Sequence, residues 1–559
     1  MADAKEPLML LRTAESLTVD DALELAGGWS LYQRRLMFYL GAVQACSASH
    51  MLAPIFLIPQ LSTDAEWRLT ASGLSLLSSA FFVGYCVGVV LWAAISDSRG
   101  RRPATTWAFT LGNLSGILSF FAPTYTAFVM LRCLCGVGVA GSKNGCFLMA
   151  TEFAPPAARA RVGALVSYAW LTGLLFLVFT AWLLQNWHWR WLVLTYVPAS
   201  ALQLVLGGLL PESPRFLLVI GEAERAKATI LAIFATNGRA PPEPMTLRRP
   251  PMDEAKAEGA GAEEGQRDGK QRGGRDGHAC AQLWQRGARQ RTCIVGFCQG
   301  VCTMVFYALT FDPRTNAAAG NLYLGALLGA LVELPAYILL APVTNTYGRR
   351  LSYSCCLALT ALCLLAMNAF LESDSGSSGP GDGGVAAPTS PEDIAADANA
   401  AADAPTNVAD VTATTKDGAP RPNWPAMAAA LGGRFASVAA TNVAYIVAAE
   451  LFPTSCRNAA VGWGSGCGRI GAIIAPALML SAEHPLLIFM ALSLAAAAMV
   501  LLLPESAGMS LADVPEHPCA EADGGGGGAV YHRRRRTCSQ ESGSSSLPAS
   551  PSSASAEVK

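Results

Sequence analysis

The sequence predicts an all-α integral membrane protein whose twelve transmembrane helices form two pseudo-symmetric halves of six. Three observations predict this fold class: an apolar composition, twelve apolar stretches of membrane-spanning length, and a set of motifs that occurs twice. Hydrophobic residues make up 52% of the 559 residues and charged residues only 14%, and the mean hydropathy is +0.34. A soluble chain of this length carries more charge and divides into several domains, so the composition excludes that class.

The twelve apolar stretches are each close to the roughly 20 residues that a helix needs to cross the hydrocarbon core. Backbone polar groups in lipid must be satisfied internally, so we expect these stretches to be helices. We number them spans 1 to 12, at approximately 36–58, 73–95, 104–122, 127–150, 162–184, 190–210, 292–311, 322–343, 351–371, 425–449, 459–481 and 485–503.

The duplicated motif is E-x-x-P-x-x-x-R, at 152–159 and again at 450–457. A repeat of such long period indicates that the chain contains the same structural unit twice. Since both copies lie among apolar spans, the unit is half of a membrane bundle. Each copy is preceded by G-R-R and followed by P-E-S, at 100–102 and 211–213 in the first half and at 348–350 and 504–506 in the second.

The repeat also predicts the domain organisation. Gly348 and Glu450 lie about 50 residues farther apart than Gly100 and Glu152, which indicates an insertion between spans 9 and 10. Residues 236–290 and 516–559 contain too few apolar residues to offset chain entropy, and we expect them to be disordered. The predicted units are an N-terminal cytoplasmic segment (1–35), the first half (36–210), a partly disordered cytoplasmic linker (211–291), the second half (292–503) with an extracytoplasmic insertion at 372–424, and a disordered cytoplasmic tail (504–559).

The orientation follows from the basic residues. Most of the 40 Lys and Arg residues lie in the termini and in the loops after the even-numbered spans. Because cytoplasmic loops are enriched in Lys and Arg, both termini are predicted to be cytoplasmic. Residues 1–35 are polar and contain no secretory signal. We therefore expect a multi-pass protein of the plasma membrane or an organelle membrane.

The chain shows little that suggests catalysis or metal binding. Most of its 16 cysteines lie within spans, where they act as small hydrophobic residues. Residues 136–141 fit G-x-G-x-x-G, but a dinucleotide site needs a preceding strand, and here small residues let helices approach closely. There is no Ser-His-Asp constellation. We expect no enzymatic activity, no cofactor, no metal and no nucleic-acid partner.

The repeated turns predict a conformational latch. Carboxylates of the first half can accept hydrogen bonds from the G-R-R arginines and hold one conformation shut. The alternative is that these basic residues merely flank the membrane. Asn345 stands in the second half where Asp97 stands in the first, so we expect the two latches to differ in strength. The predicted latch residues are Asp97, Arg101, Arg102, Glu152, Arg159, Arg349, Arg350, Glu450 and Arg457.

These motifs resemble those of a known superfamily. The D-S-R-G-R-R turn (97–102), both E-x-x-P-x-x-x-R copies and P-E-S-P-R (211–215) are similar to signature turns of the major facilitator superfamily. The segment N-L-Y-L-G-A-L-L-G-A-L-V-E-L-P-A-Y (321–337) resembles helix 8 of the organic cation, anion and carnitine transporters. Residues 445–457 and T-V-D-D-A-L-E (18–24) resemble that family and its synaptic-vesicle-protein relatives. The resemblance implies the major facilitator fold, a central cavity and alternating access.

The chain departs from the family pattern in four places. The outer segment after span 1 (59–70) is short, and Asn345 replaces the usual acid. Residues 504–509 read P-E-S-A-G-M, and 46–50 read C-S-A-S-H where vesicle-protein relatives often carry acids. These departures affect the choice of substrate more than the fold.

Charged residues inside spans predict the binding site, because inserting each at mid-membrane costs about 2.5–3.5 kcal/mol. The resemblance implies that Arg469 in span 11 meets an anionic group, since anion carriers of the family place an arginine there. Alternatively, Arg469 pairs with Glu333 and ties span 8 to span 11. Arg132 and Arg434 lie nearer the outer ends of spans 4 and 10, and we expect them to fix gates or to snorkel.

Each of the other candidate binding residues has more than one possible role. Lys143 contributes to a positive cavity or is a packing ion; His50 is a proton carrier or a hydrogen-bonded structural histidine. Glu333 contacts a substrate cation, binds a proton or pairs with Arg469. Aromatic faces suit organic ions, although lipid-facing packing is the alternative. The predicted substrate-binding residues are Arg469, Glu333, Lys143, Asn144, Gln299, Tyr307, Tyr168 and His50.

The sequence thus predicts a secondary transporter for a small organic ion, an anion or a zwitterion, with membrane lipid and a coupling proton or counter-ion as further partners. Two alternatives remain. One is a carrier of sugars or other neutral solutes on the same fold, which leaves Lys143 and Arg469 without a purpose. The other is a non-transporting, receptor-like vesicle membrane protein, which the altered second latch permits.

Overall fold

The fold is helical throughout the part of the chain that the structure describes. This computed structural model describes residues 17–64, 66–67, 69–195, 198, 210–242, 244–248, 283–312, 315–316, 318–377, 422–452 and 456–506. Within these ranges the only β-type pairing is an isolated bridge between Leu17 and Leu247. Most of the predicted insertion, and the predicted tail from residue 507 onwards, lie outside the described residues.

The observed helices follow the predicted spans. Seven helical stretches in the described ranges are long and apolar enough to cross a membrane. Most of span 6 lies outside the described residues. The spans correspond to Leu31–Leu52 with Pro54–Ser62 (span 1), Ala71–Arg99 (2), Arg101–Leu118 (3), Tyr125–Glu152 (4), Arg159–Leu183 (5), Arg190–Leu194 (start of 6), Arg286–Phe311 (7), Leu322–Leu331 with Glu333–Tyr347 (8), Arg349–Ser377 (9), Trp424–Leu451 (10), Arg457–Ser481 (11) and Pro485–Val500 (12).

Side-chain caps determine where several even-numbered spans begin. The hydroxyls of Thr70 and Thr124 accept hydrogen bonds from the first turns of spans 2 and 4, at 3.3 and 3.2 Å. The amide oxygens of Asn321 and Asn423 do the same for spans 8 and 10, at 2.8 and 3.0 Å. Each satisfies a backbone N–H that the helix leaves unpaired. The capping pattern is therefore repeated between the halves.

The G-R-R turns are capped by the P-E-S motifs. Gly100 and Gly348 have φ of 108° and 88°, a conformation that favours glycine. The Glu212 carboxylate accepts the backbone N–H of Arg101 at 2.9 Å, and Glu505 accepts that of Arg349 at 2.8 Å. A Cβ on either glycine would crowd the capping carboxylate. Each P-E-S glutamate thus places a negative charge at a helix N-terminus, where the helix dipole favours it.

The N-terminal segment and the linker, both predicted to be cytoplasmic, also contain helices. Short helices occupy Val19–Leu25, Pro214–Val219 and Ala223–Asn237, and their apolar faces share one buried cluster with span 1. The prediction that residues 236–290 are disordered is wrong at both ends of that range. Asn237 donates to the Ala26 carbonyl at 2.8 Å, and span 7 begins at Arg286. Residues 249–282 lie outside the described residues.

The largest contact between the halves in the described residues joins spans 2 and 11, toward the end of the bundle opposite the G-R-R turns, which we call the closed end. There the first helix of span 8 also packs on span 5, and the second helix of span 1 on span 7; the second helix of span 8 contacts span 5 as well. The Ser79 hydroxyl donates to the Ile473 carbonyl at 2.8 Å, and the Phe82 and Tyr307 rings are 4.6 Å apart. Among the described residues, none of the ion pairs at the G-R-R end joins the first half to the second half.

Candidate binding cavity

A cavity of about 220 Å³ lies between the two halves, on the G-R-R side of the closed-end contacts. Spans 1, 4 and 5 of the first half line it, and spans 7, 8, 10 and 11 of the second half face them. Its walls combine two cations, aromatic rings and neutral hydrogen-bonding groups. The charged and polar lining residues are Gln44, Lys143, Ser167, Thr303, Tyr307, Tyr337, Thr441, Asn442, Tyr445 and Arg469.

Arg469 presents a guanidinium to this cavity from span 11. Its Cζ lies 4.4 Å from the centroid of the Tyr85 ring, and the Tyr307 and Tyr445 hydroxyls are its electrostatic neighbours. Its Nε is buried without a hydrogen-bond partner. Among the residues that the structure describes, no carboxylate lies within salt-bridge distance of it. Aromatic faces stabilise a cation but leave its charge unneutralised.

Lys143 presents a second cation from span 4, in the opposite half. Its Nζ lies 4.3 Å from the centroid of the Trp170 ring, which belongs to span 5 and also lines the cavity. No described carboxylate pairs with it either. Lys143 and Arg469 are close enough to repel one another electrostatically. The lining thus contains two cations and, within the described part of the chain, no acidic residue.

Glu333 does not pair with Arg469; the alternative that ties span 8 to span 11 is wrong. Its carboxylate is fully buried, and its Oε1 accepts from Arg434 Nη2 at 2.8 Å and from Nε at 3.3 Å. Tyr337, which lines the cavity, donates to Oε2 at 3.2 Å. Arg434 is 4% exposed, so it does not snorkel. The pair joins spans 8 and 10 behind the cavity wall.

Four predicted substrate-binding residues lie away from the cavity lining. Asn144 is exposed on span 4, and Tyr168 is 38% exposed on span 5. Gln299 is 2% exposed and packs beside Gly468 of span 11. His50 is 1% exposed inside the first half. Of the predicted set, Arg469, Lys143 and Tyr307 line the cavity, and Glu333 touches it through Tyr337.

His50 belongs to a buried polar cluster of the first half. Its Nε2 lies 3.1 Å from Asn113 Oδ1, and its backbone carbonyl accepts from Arg132 Nη2 at 2.9 Å. Arg132 is 0% exposed and lies 5.1 Å from the Phe81 ring centroid. Arg132 therefore packs inside the half, and the predicted alternative that it snorkels is wrong.

The predicted latch pairs are present within each half. Arg101 contacts Asp97 at 2.8 Å and Glu152 at 3.4 Å, and Arg349 contacts Glu450 at 3.3 Å. The backbone N–H groups of Arg102 and Arg350 donate to the P-E-S glutamates. Asn345 is exposed, and the second latch lacks the aspartate pair. The side chain of Arg457 lies outside the described residues.

Asp20 is a latch residue that the sequence did not predict. Its carboxylate pairs with Arg159 at 2.7 Å and also with Arg215 of P-E-S-P-R. Arg215 in turn donates to the Glu152 carbonyl at 3.2 Å. The T-V-D-D-A-L-E segment thereby ties the first E-x-x-P-x-x-x-R copy to the linker.

The sequence repeat could have identified one cavity-lining residue that was not predicted. Lys143 lies nine residues before Glu152, and Thr441 lies nine residues before Glu450. The two positions are therefore equivalent in the halves, and both line the cavity. Gln44 and Tyr337 carry no comparable signal, since each is a single polar residue on an apolar span.

A family model described as "Sugar (and other) transporter" matches residues 47–382. The chain belongs to this family. Its fold is the twelve-helix major facilitator fold, as the sequence predicted, and the protein is a multi-pass membrane protein. Among solved structures, the partially occluded inward-open xylose transporter XylE from E. coli superposes with a TM-score of 0.59 and 15% identity, covering 86% of this chain and 99% of that one.

The chain is also similar to curated proteins of two kinds named here. A synaptic vesicle 2-related protein of Bos taurus is 35% identical over 227 residues, 40% of this chain and 41% of that protein. The organic cation/carnitine transporter 4 of Arabidopsis thaliana is 26% identical over 460 residues, 81% of this chain and 76% of that protein. The chain thus matches less than half the length of the vesicle-related proteins.

Proposed function

We propose that this protein is a secondary transporter that carries a small organic anion across a membrane by alternating access. The observation that carries the proposal is the pair of cations, Lys143 and Arg469, in a cavity whose described lining contains no acid. Buried charges without a partner are unfavourable, and an anionic ligand would neutralise them. Arg469 can hold a carboxylate with two parallel hydrogen bonds.

The state of Glu333 favours an anion over a zwitterion. Its two carboxylate oxygens are taken by Arg434 and Tyr337, and the residue is 0% exposed. A substrate ammonium group would need a free acid in the cavity wall, and Glu333 does not supply one. The aromatic rings of Phe306 and Tyr445 suit the apolar part of an organic anion.

Alternating access is supported by where the halves meet. Packing between them is concentrated at the closed end, and the latch ion pairs at the other end each stay within one half. This arrangement lets the halves rock about the cavity while each remains intact. Exchanging partners between the latch arginines and carboxylates would then open and close the G-R-R end, which we assign to the cytoplasm. The vesicle-related relatives favour an organelle membrane.

Uptake by purified protein in liposomes should discriminate by charge. We expect saturable uptake of small organic anions, with matched cations and neutral sugars of similar size entering at the rate of empty liposomes. The reason is that the cavity carries two cations and repels a third. Cation or sugar uptake would contradict the polarity of the site, and binding of anions without any flux would favour the receptor-like alternative.

Ser79→Trp should arrest transport while leaving anion binding intact. Ser79 contacts the Ile473 carbonyl across the closed end at 2.8 Å, so an indole there would keep that end from closing. Val90→Trp is the matched control, because Val90 lies on the same span and is 73% exposed on its outer surface. Anion binding is measured by thermal shift and transport by uptake. Normal uptake by Ser79→Trp would count against closure at this end.

A further inference from the structure

We infer that the substrate carries two anionic groups, one held by Lys143 of the first half and the other by Arg469 of the second. This inference rests on the proposed function, because it names the class of anion that the same cavity accepts. The substrate class is a short organic dianion, of which a dicarboxylate is the simplest example.

The first argument for a dianionic substrate is the charge of the cavity lining. Lys143 and Arg469 are the two basic residues of the described lining, and an anionic group beside Lys143 favours the charged form of its amine. The nearby Glu333 contributes no net charge, because Arg434 neutralises it at 2.8 Å. A monoanion would leave one cation without a counter-charge, whereas a dianion would neutralise both.

The second argument for a dianionic substrate is the position of the two cations. Lys143 is held against the Trp170 ring, with Nζ 4.3 Å from its centroid, and Arg469 against the Tyr85 ring, with Cζ at 4.4 Å. Trp170 belongs to the first half, as Lys143 does, whereas Arg469 projects from the second half. Each cation thus has its own aromatic support, which suits two separate anionic groups better than a single one.

The third argument comes from the sequence repeat and from the size of the cavity. Thr441, the counterpart of Lys143 in the second half, is neutral, so each half supplies a single charge to the cavity. A ligand that bridges the two charges therefore contacts both halves. The volume of about 220 Å³ fits a short dianion and is too small for a nucleotide-sized one.

The test compares glutarate with its monoamide, glutaramate, which has the same carbon skeleton and one negative charge fewer. We expect wild-type protein in liposomes to prefer glutarate by about tenfold to a hundredfold in uptake efficiency, since a hydrogen bond to a charged group is worth that much. Lys143→Gln should reduce the preference to about one while still transporting glutaramate. Lys143→Arg should keep the preference, because it keeps the charge.

Lys227→Gln is the matched control, since Lys227 lies on the helix Ala223–Asn237 outside the spans, and it should leave the preference unchanged. If Lys143→Gln does not fold, competition by both ligands for binding to the wild type gives the same ratio. Equal or better use of glutaramate by the wild type would overturn the dianion and leave anion transport standing. Failure to bind or transport either compound, or any other organic anion, would overturn both.

Discussion

Arg469→Gln is expected to lower anion uptake by about 10- to 100-fold while leaving the amount of folded protein unchanged. The guanidinium is the group in the cavity that can hold a carboxylate with two parallel hydrogen bonds. No described carboxylate pairs with Arg469, and its Nε already lacks a partner. Removing it therefore leaves no described acid unpaired, and stability should hold. Initial uptake rates per folded transporter measure the first effect, and melting temperature in detergent measures the second.

Two further variants sharpen this result. Arg469→Lys keeps the charge but loses the planar fork, so its uptake should fall between the wild type and Arg469→Gln. Arg225→Gln makes the same change at an arginine whose side chain is 68% exposed and pairs with Glu222, the N-cap of the linker helix Ala223–Asn237, and uptake should be unaffected. Undiminished uptake by Arg469→Gln would reject the role of the arginine.

At Arg434, in contrast to Arg469, we expect a substitution to lower the stability of the fold. Arg434→Leu should destabilise the protein by about 3–5 kcal/mol, because it leaves the fully buried Glu333 carboxylate without its counter-charge. The packing around Arg434 is tight, because a Cβ added at Gly329 would lie only 2.7 Å from Arg434 Nη1. Surrounding groups therefore cannot easily move to replace the lost counter-charge. The double variant Glu333→Leu with Arg434→Leu should recover most of that loss, since it removes both charges.

Melting temperatures of the two single variants and the double variant in detergent form a double-mutant cycle for this pair. The surface pair Arg225 and Glu222, with side chains 68% and 41% exposed, serves as the control cycle, and its coupling should be about 0–1 kcal/mol. Single variants that melt with the wild type, or a double variant no better than Arg434→Leu, would show that the pair does not stabilise the fold.

These two arginines show the limit of reading the sequence. Arg434 and Arg469 both lie within apolar spans of the second half, and either could have reached Glu333 by composition alone. The contact depends on how spans 8, 10 and 11 pack and rotate about their axes. Such rotation is set by the sum of many helix–helix contacts rather than by any local pattern. The tertiary structure places Arg434 against Glu333 and leaves Arg469 facing the cavity.

The same limit applies to polar residues of the spans. His50 and Gln299 are polar residues on apolar helices, as Gln44 and Tyr337 are, yet only the last two line the cavity. Helical periodicity is weak in a bundle whose outer surface is as apolar as its core. Large apolar residues such as Val90 are exposed, where lipid accommodates them. Hydrophobic patterning therefore does not indicate which face of a helix points into the bundle.

The sequence by itself determined the spans, the two-fold repeat and the latch motifs, because each depends on local hydrophobicity or on short spacings along one chain segment. Arg101 with Glu152 and Arg349 with Glu450 could be paired from the repeat alone. Only the tertiary structure decided which cations remain unpaired in the cavity, that Asp20 joins the latch, and that P-E-S glutamates cap the G-R-R helices. Those contacts join residues far apart in the chain, and their geometry follows from how the helices pack.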